Sequence, residues 1–192
     1  MVPDTNPQSS EEISVSRPPH LVRFYEDDRI LVHEWADFIG TALACGSAVV
    51  LIATKEHKEM LLRRVESYGI AVGDIMLAGR LIAIDAEDTL AQFFVNGKLD
   101  GAKLKGMGRE IISRAAAAAF NGRVAAFGEM VAVLCAEGNT KAAIELEGLW
   151  NTLAAELRFT LRCAYPVQQF QSAARADAFS RICAEHTIMT ID

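Results

Sequence analysis

The first glycine in this chain is Gly40. The turn after the first apolar strand, within HLVRFYEDD, therefore offers Tyr25, Glu26, Asp27 and Asp28 where a nucleotide site needs glycines and an uncovered helix N-terminus. Three clustered carboxylates repel a triphosphate. No GxGxxG follows a strand, and Gly106-Met107-Gly108 is only a GxG in a stretch read as turns. Basic runs are missing too. The densest is Arg63-Arg64, and a net charge of −6 with a pI of about 5.3 leaves no Lys/Arg surplus for a phosphate backbone, which argues against a nucleic-acid partner. No apolar stretch reaches bilayer length. The start, MVPDTNPQSSEE, has neither the basic nor the apolar region of a signal peptide, so a cytoplasmic location is expected.

Chemistry-bearing patterns are also scarce. Cys45, Cys135, Cys163 and Cys183 stand far apart with no CxxC pair, each in or beside an apolar segment. That favours buried free thiols over disulfides or a zinc site. His20, His33, His57 and His186 show no metal-ligand spacing among themselves, and no metal or cofactor is expected. Ser47 and Ser67 lie outside any GxSxG elbow, so no catalytic residue is assigned. His20 and His186 flank the two ends of the patterned chain; domain termini often lie close in space, which brings these two near one another.

What is present is an alternation of strand and helix patterns. Residues 1–18, rich in Ser, Pro, Glu and Asn without apolar periodicity, read as a disordered tail before a single domain over 19–192. Residues 21–25 form the first strand. Asp27 or Asp28 caps a helix with Leu31, Trp35, Phe38, Ile39 and Ala42 on one face, and Gly46 ends it. The run AVVLIA over residues 48–53 reads as a strand buried on both faces. Thr54 caps a helix striped by Leu61, Val65 and Tyr68. Strands follow at 81–84, 124–127 and 159–163, the last placed at or near an edge because FTLRC alternates. A short helix carries Leu90, Phe93 and Phe94; residues 97–108 read as turns; a helix carries Ile111 to Ala119; a long one carries Leu146, Trp150, Leu153 and Leu157; a last helix spans 173–183 and a last strand 187–191. The spacing predicts an α/β fold of three layers, α/β/α, with a mainly parallel sheet joined by right-handed crossovers.

Ligands of such sheets collect at the carboxyl ends of the strands. The candidate ligand-binding residues are Tyr25, Glu26, Asp27, Thr54, His57, Asp85, Glu129 and Tyr165. Glu129, just past a strand, reads either as a polar group of the pocket or as a carboxylate that caps a backbone amide or pairs with Arg23 or Arg123. His57, after Lys55-Glu56, reads as a surface residue near the pocket rim, with a ligand role as the sharper alternative. Trp35, Phe38, Phe93, Phe94, Met130 and Trp150 could enclose an apolar ligand, but their helical spacing favours core packing.

Three segments, HLVRFYEDD, FGEMVAVLCAEGN and CAYP, together with VVLIATKEH and IDAEDTLAQFFVNGKLD, resemble the MEDS domain, the sensory domain of methanogens, methylotrophs and the dichloromethane-response regulator. The resemblance covers residues 19–188. It implies a RecA- and circadian-clock-ATPase-like fold without a phosphate-binding loop, with strands in the order 5-1-4-3-2. It also implies a sensory input module of the kind linked to histidine kinases and to sensing of hydrocarbon derivatives. Tyr25, Glu26, Asp27, Glu129, Glu137, Asn139, Tyr165 and Pro166 fall on its pattern. Lys55 departs from a common proline, and Cys135 stands where tryptophan is frequent.

The expected function is a non-catalytic sensory or regulatory domain that binds a small ligand, hydrophobic ones included. No kinase or receiver segment follows, so output is expected through a separate partner such as a histidine kinase, response regulator or anti-sigma factor. The alternatives are a protein-interaction module or homodimeric scaffold and, least favoured, a degenerate nucleotide-binding ATPase.

Overall fold

The computed structural model describes residues 19–95, 98–172 and 175–191; the tail expected over 1–18 lies outside them. In chain order the elements are β1 (His20–Tyr25), α1 (Asp28–Ala44), β2 (Ala48–Ala53), α2 (Lys55–Glu66), α3 (Val72–Leu77), β3 (Leu81–Asp85) and α4 (Ala86–Ala91). The small antiparallel pair β4 (Phe94–Val95) and β5 (Lys98–Leu99) comes next, then α5 (Gly101–Ala118), β6 (Val124–Gly128), α6 (Met130–Ala136), α7 (Thr140–Leu157), β7 (Thr160–Pro166), a 3-10 turn (Val167–Phe170), α8 (Ala176–Glu185) and β8 (Ile188–Ile191).

Six strands form one parallel sheet in the order β3-β2-β6-β7-β1-β8. All six side chains of β2 are buried, as its unbroken apolar run requires for a strand flanked on both sides and covered on both faces. One face packs Leu31, Trp35 and Ile39 of α1 and Leu61 and Val65 of α2 against Val49, Leu51 and Phe127. The other packs Leu104, Ile112, Leu146, Trp150 and Leu153 of α5 and α7 against Val50, Ala126 and Leu161. The three-layer α/β class holds. No helix among the described residues is long and apolar enough to cross a membrane.

The expected order 5-1-4-3-2 is incorrect. In the same chain-order numbering of the main strands the sheet runs 3-2-4-5-1, with the last strand, β8, outside the first. Periodicity fixes which face a side chain takes and carries no information about lateral neighbours. The fifth strand, β7, is interior, between β6 and β1. Its polar alternation reflects Arg162, whose guanidinium carbon lies 3.6 Å from the Phe38 ring centre under α1, a cation–π contact and not an open edge. Residues 101–108 are helical, not turns. Gly108 lies where a Cβ would meet Leu153 Cδ1 at 2.8 Å, so it lets α5 approach α7 closely. Helices α3 and α6 went unread because each is too short to show a period, and the short helix expected to carry Phe93 and Phe94 ends at Ala91, with Phe94 opening β4. Tyr68 falls beyond the end of α2 and is exposed, not part of its buried stripe.

Candidate functional site

At the carboxyl end of the sheet, four elements converge. β6 delivers Glu129, whose backbone N–H donates to Ile52 O at the end of β2, 2.9 Å away. Its side chain is buried and turns toward the start of α2. There Thr54 caps the helix through its hydroxyl, which accepts from His57 N, and the Thr54 backbone N–H donates to Glu129 Oε2 at 3.0 Å. The third residue of α2, His57, faces inward, and its Nδ1 lies 2.5 Å from Glu129 Oε1. Its Nε2 points to the rim, 3.4 Å from Asp28 Oδ1 in the first turn of α1. The Tyr25 ring, at the end of β1, meets the His57 imidazole edge-on at 6.1 Å.

Two carboxylates around one imidazole set the electrostatics. Burial of His57 works against its charged form, but the hydrogen bond to Glu129 and the charges of Glu129 and Asp28 outweigh it and raise its pKa. Burial, then the charges of Glu129 and Asp28, raises the Tyr25 phenol, which stays protonated as a hydrogen-bond donor. The group that His57 Nε2 faces is the Asp28 carboxylate.

The structure thus brings Tyr25, Thr54, His57 and Glu129 together and adds Asp28. His57 is buried, not a surface residue. The neighbouring Lys55 and Glu56, both exposed, hid that one side of the first turn faces the sheet. Glu129 does cap a backbone amide, and its charged partner is His57, 72 positions away in sequence. Asp27 is the helix cap: it accepts from Arg29 N at 2.8 Å and holds the Arg29 guanidinium, so a carboxylate already covers the N-terminus of α1. Glu26 is exposed and its carbonyl accepts from Gln168. Asp85 stands apart. It caps α4 and lies 3.4 Å from Lys58 Nζ, beside a cavity of about 400 Å³ lined by Thr89, Phe93 and Met107. A second cavity of about 400 Å³ lies at the amino ends of the strands, lined by Phe38, Cys45, Arg123, Arg158 and Thr160.

Tyr165 is not at the strand-end site. Its side chain is fully buried on the other face of the sheet, where its hydroxyl donates to Glu147 Oε1 at 2.6 Å. Cys163 donates to the other oxygen at 3.3 Å. Burial pushes the Glu147 carboxyl up to about 7, against the opposing effect of the Tyr165 and Cys163 hydrogen bonds. His20 and His186 close this cluster with ring centres 3.9 Å apart, so the two ends of the patterned chain do meet. Sequence reasoning placed these two histidines near one another; it missed Glu147, one of three glutamates in α7, whose apolar stripe gave no sign of it. The expectation of four buried thiols holds for Cys135 and Cys163; Cys45 is exposed because it ends α1, and Cys183 is half-buried.

The parallel α/β sheet carries this polar cluster at its carboxyl edge, and no glycine stands between β1 and α1. The sequence matches the family described as MEDS, the MEthanogen/methylotroph, DcmR Sensory domain, over residues 19–181, and the chain belongs to that family. No curated protein matches it.

Proposed function

We propose that this chain is a non-catalytic sensory module that binds a small, uncharged or cationic molecule at the carboxyl ends of β1, β2 and β6. It reports occupancy to a separate signalling protein. The observation that carries this reading is the buried Glu129, shared between the Thr54 amide and His57, with Asp28 completing the chain of contacts at the rim. These contacts tie the end of β6 to the first turns of both α1 and α2. A ligand that takes the hydrogen bond now made to His57 Nε2 releases Asp28 and changes how α1 seats on α2. The carboxylate excess disfavours anions, and the Asp27 cap occupies the helix end that a phosphate would need. Tyr25 adds a ring wall and a donor. Membership in a sensory family supports the regulatory role.

The direct test is a thermal-shift screen of small alcohols, amines and halogenated hydrocarbons, run on the wild type and on Glu129→Gln. The reading expects at least one compound to raise Tm in the wild type and to lose most of that effect in Glu129→Gln. Flat responses across the whole panel contradict it.

One observation favours a second reading, self-association. Strand β8 is an edge of the sheet and half-exposes Ile188, Met189 and Ile191, a surface suited to pairing with a second copy of this chain. Sedimentation equilibrium decides it: a dimer in the wild type that Ile188→Lys converts to monomer supports this reading, and a monomeric wild type removes it.

A further inference from the structure

On the sheet face opposite α1 and α2, four elements bring four donor side chains together. His20 opens β1, Glu147 lies within α7, Cys163 lies in β7, and His186 follows α8. His20 Nε2 stands 3.3 Å from Cys163 Sγ and 3.4 Å from Glu147 Oε2; Cys163 Sγ stands 3.3 Å from that same oxygen; His186 Nε2 stands 3.5 Å from Glu147 Oε1. One donor atom from each of the four lies within 4.8 Å of every other. Tetrahedral zinc with bonds of about 2.0–2.3 Å separates its nitrogen and sulfur donors by about 3.3–3.6 Å. His20 Nε2, Cys163 Sγ and Glu147 Oε2 stand at that spacing from one another, and the His186 donor atom lies within 4.8 Å of a donor atom of each of the other three residues.

The hydrogen bonds outside the cluster fix the state of both imidazoles. His186 Nδ1 lies 2.7 Å from Ile182 O, which can only accept, so the proton is on Nδ1 and the lone pair on Nε2. Asn151 Nδ2 donates to Glu185 O and Oε2, which turns Asn151 Oδ1 toward His20 Nδ1 at 2.9 Å. His20 Nδ1 is therefore also the donor, and its Nε2 lone pair faces inward. Imidazoles that bind metals are held in this way, with the remote N–H given to an oxygen.

Two imidazole nitrogens face the Glu147 carboxyl, and the Cys163 and Tyr165 protons are given to its two oxygens. His186 Nε2 is fully buried and has no hydrogen-bond partner among the described residues. Buried polar atoms are mostly paired, and an ion at the centre of the cluster would satisfy this one.

We propose that His20, Glu147, Cys163 and His186 form a tetrahedral site for a divalent transition metal of the zinc type. Two imidazoles, a thiolate and a carboxylate suit zinc and its neighbours; calcium and magnesium prefer all-oxygen shells. The charges close: one thiolate and one carboxylate balance a divalent ion, which leaves a neutral site in an apolar interior. Binding displaces the Cys163 proton to solvent. Four protein donors fill the coordination shell, so the site is of the structural kind. It fastens the start of β1 and the segment leading into β8 to α7 and β7. This proposal does not depend on the strand-end ligand site.

The test uses the full chain. Native mass spectrometry of protein produced with added zinc is expected to show one zinc per chain. Cobalt(II) added to the chelator-treated protein is expected to give the intense visible bands of a tetrahedral site, together with a thiolate-to-cobalt band that Cys163→Ser abolishes. Asn151→Ala leaves all four donors in place but frees the His20 ring, and is expected to weaken cobalt binding by about 10–100-fold. Folding of each variant is checked by circular dichroism, and the wild-type cobalt spectrum needs no variant. Folded wild-type protein that binds neither zinc nor cobalt at one equivalent overturns the proposal. So does a cobalt spectrum unchanged in Cys163→Ser.

Discussion

His57 Nδ1 lies 2.5 Å from Glu129 Oε1, and this contact joins the first turn of α2 to the end of β6. Both side chains are buried, so neither can exchange its partner for water without moving the helix.

The charge on His57 makes that contact pH-dependent. Glu129 and Asp28 overcome the effect of burial and raise the pKa in the folded chain above the ordinary 6.5. A raised histidine pKa contributes stability that is fully present below the unfolded-state value and is lost as pH rises through the folded-state value. The urea midpoints of the wild type and His57→Gln are therefore expected to differ most under mildly acidic conditions and to draw together toward alkaline pH. Glu129→Gln, which keeps an acceptor for the Thr54 amide but removes the charge, is expected to cost about 1.5–3 kcal/mol. A gap that widens with pH contradicts the assignment.

Two glycines two residues apart in α5 make a paired prediction. A Cβ at Gly106 meets nothing within 4 Å, whereas one at Gly108 meets Leu153 Cδ1 at 2.8 Å and Trp150 Cζ3 at 3.5 Å. Gly106→Ala is expected to stabilise by about 0.5–1 kcal/mol through helix propensity. Gly108→Val forces α5 from α7 and is expected to destabilise by about 1–3 kcal/mol. Chemical denaturation of the two variants reads both signs.

Thiol reactivity follows burial. Cys45 is exposed, Cys183 is half-buried, and Cys135 and Cys163 are buried. Burial, with the negative charge of Glu147 behind it, pushes the Cys135 thiol up to about 11, and burial keeps Cys163 protonated as well. An aromatic disulfide reagent is expected to label Cys45 first and Cys183 more slowly, and to reach Cys135 and Cys163 only in denaturant. Mass mapping of the labelled peptides checks the order.

The parts of this fold that could be read from sequence are those with a local period. AVVLIA in β2 and the Leu31-Trp35-Ile39 stripe of α1 announce their burial unaided. Gly101, Gly106 and Gly108 read as turns because the benefit of a missing side chain at Gly108 is a contact with Leu153, 45 positions away. The same distance problem governs the site. Tyr25, Thr54 and Glu129 were legible because strand ends are where such sheets bind ligands. His57 looked like surface beside Lys55 and Glu56 until Glu129 was placed next to it. Tyr165 also ends a strand, but faces the opposite side of the sheet toward Glu147. His20 and His186 could be paired from their positions at the chain's ends. Glu147 and Cys163, which complete their cluster, belong to two other elements that no spacing rule connects.

The central claim is that the strand-end cluster binds a small molecule and has no place for a nucleotide. Amide and imidazole NMR titration tests it most directly, with a panel of small alcohols, amines and halogenated hydrocarbons in one arm and magnesium-ATP in the other. The account predicts that a panel member shifts the resonances of Tyr25, Thr54, His57 and Glu129 together, and that magnesium-ATP leaves the Glu26–Asp28 amides unmoved. Saturable shifts at Glu26, Asp27 and Asp28 with magnesium-ATP, and none at His57 with any panel compound, would contradict it.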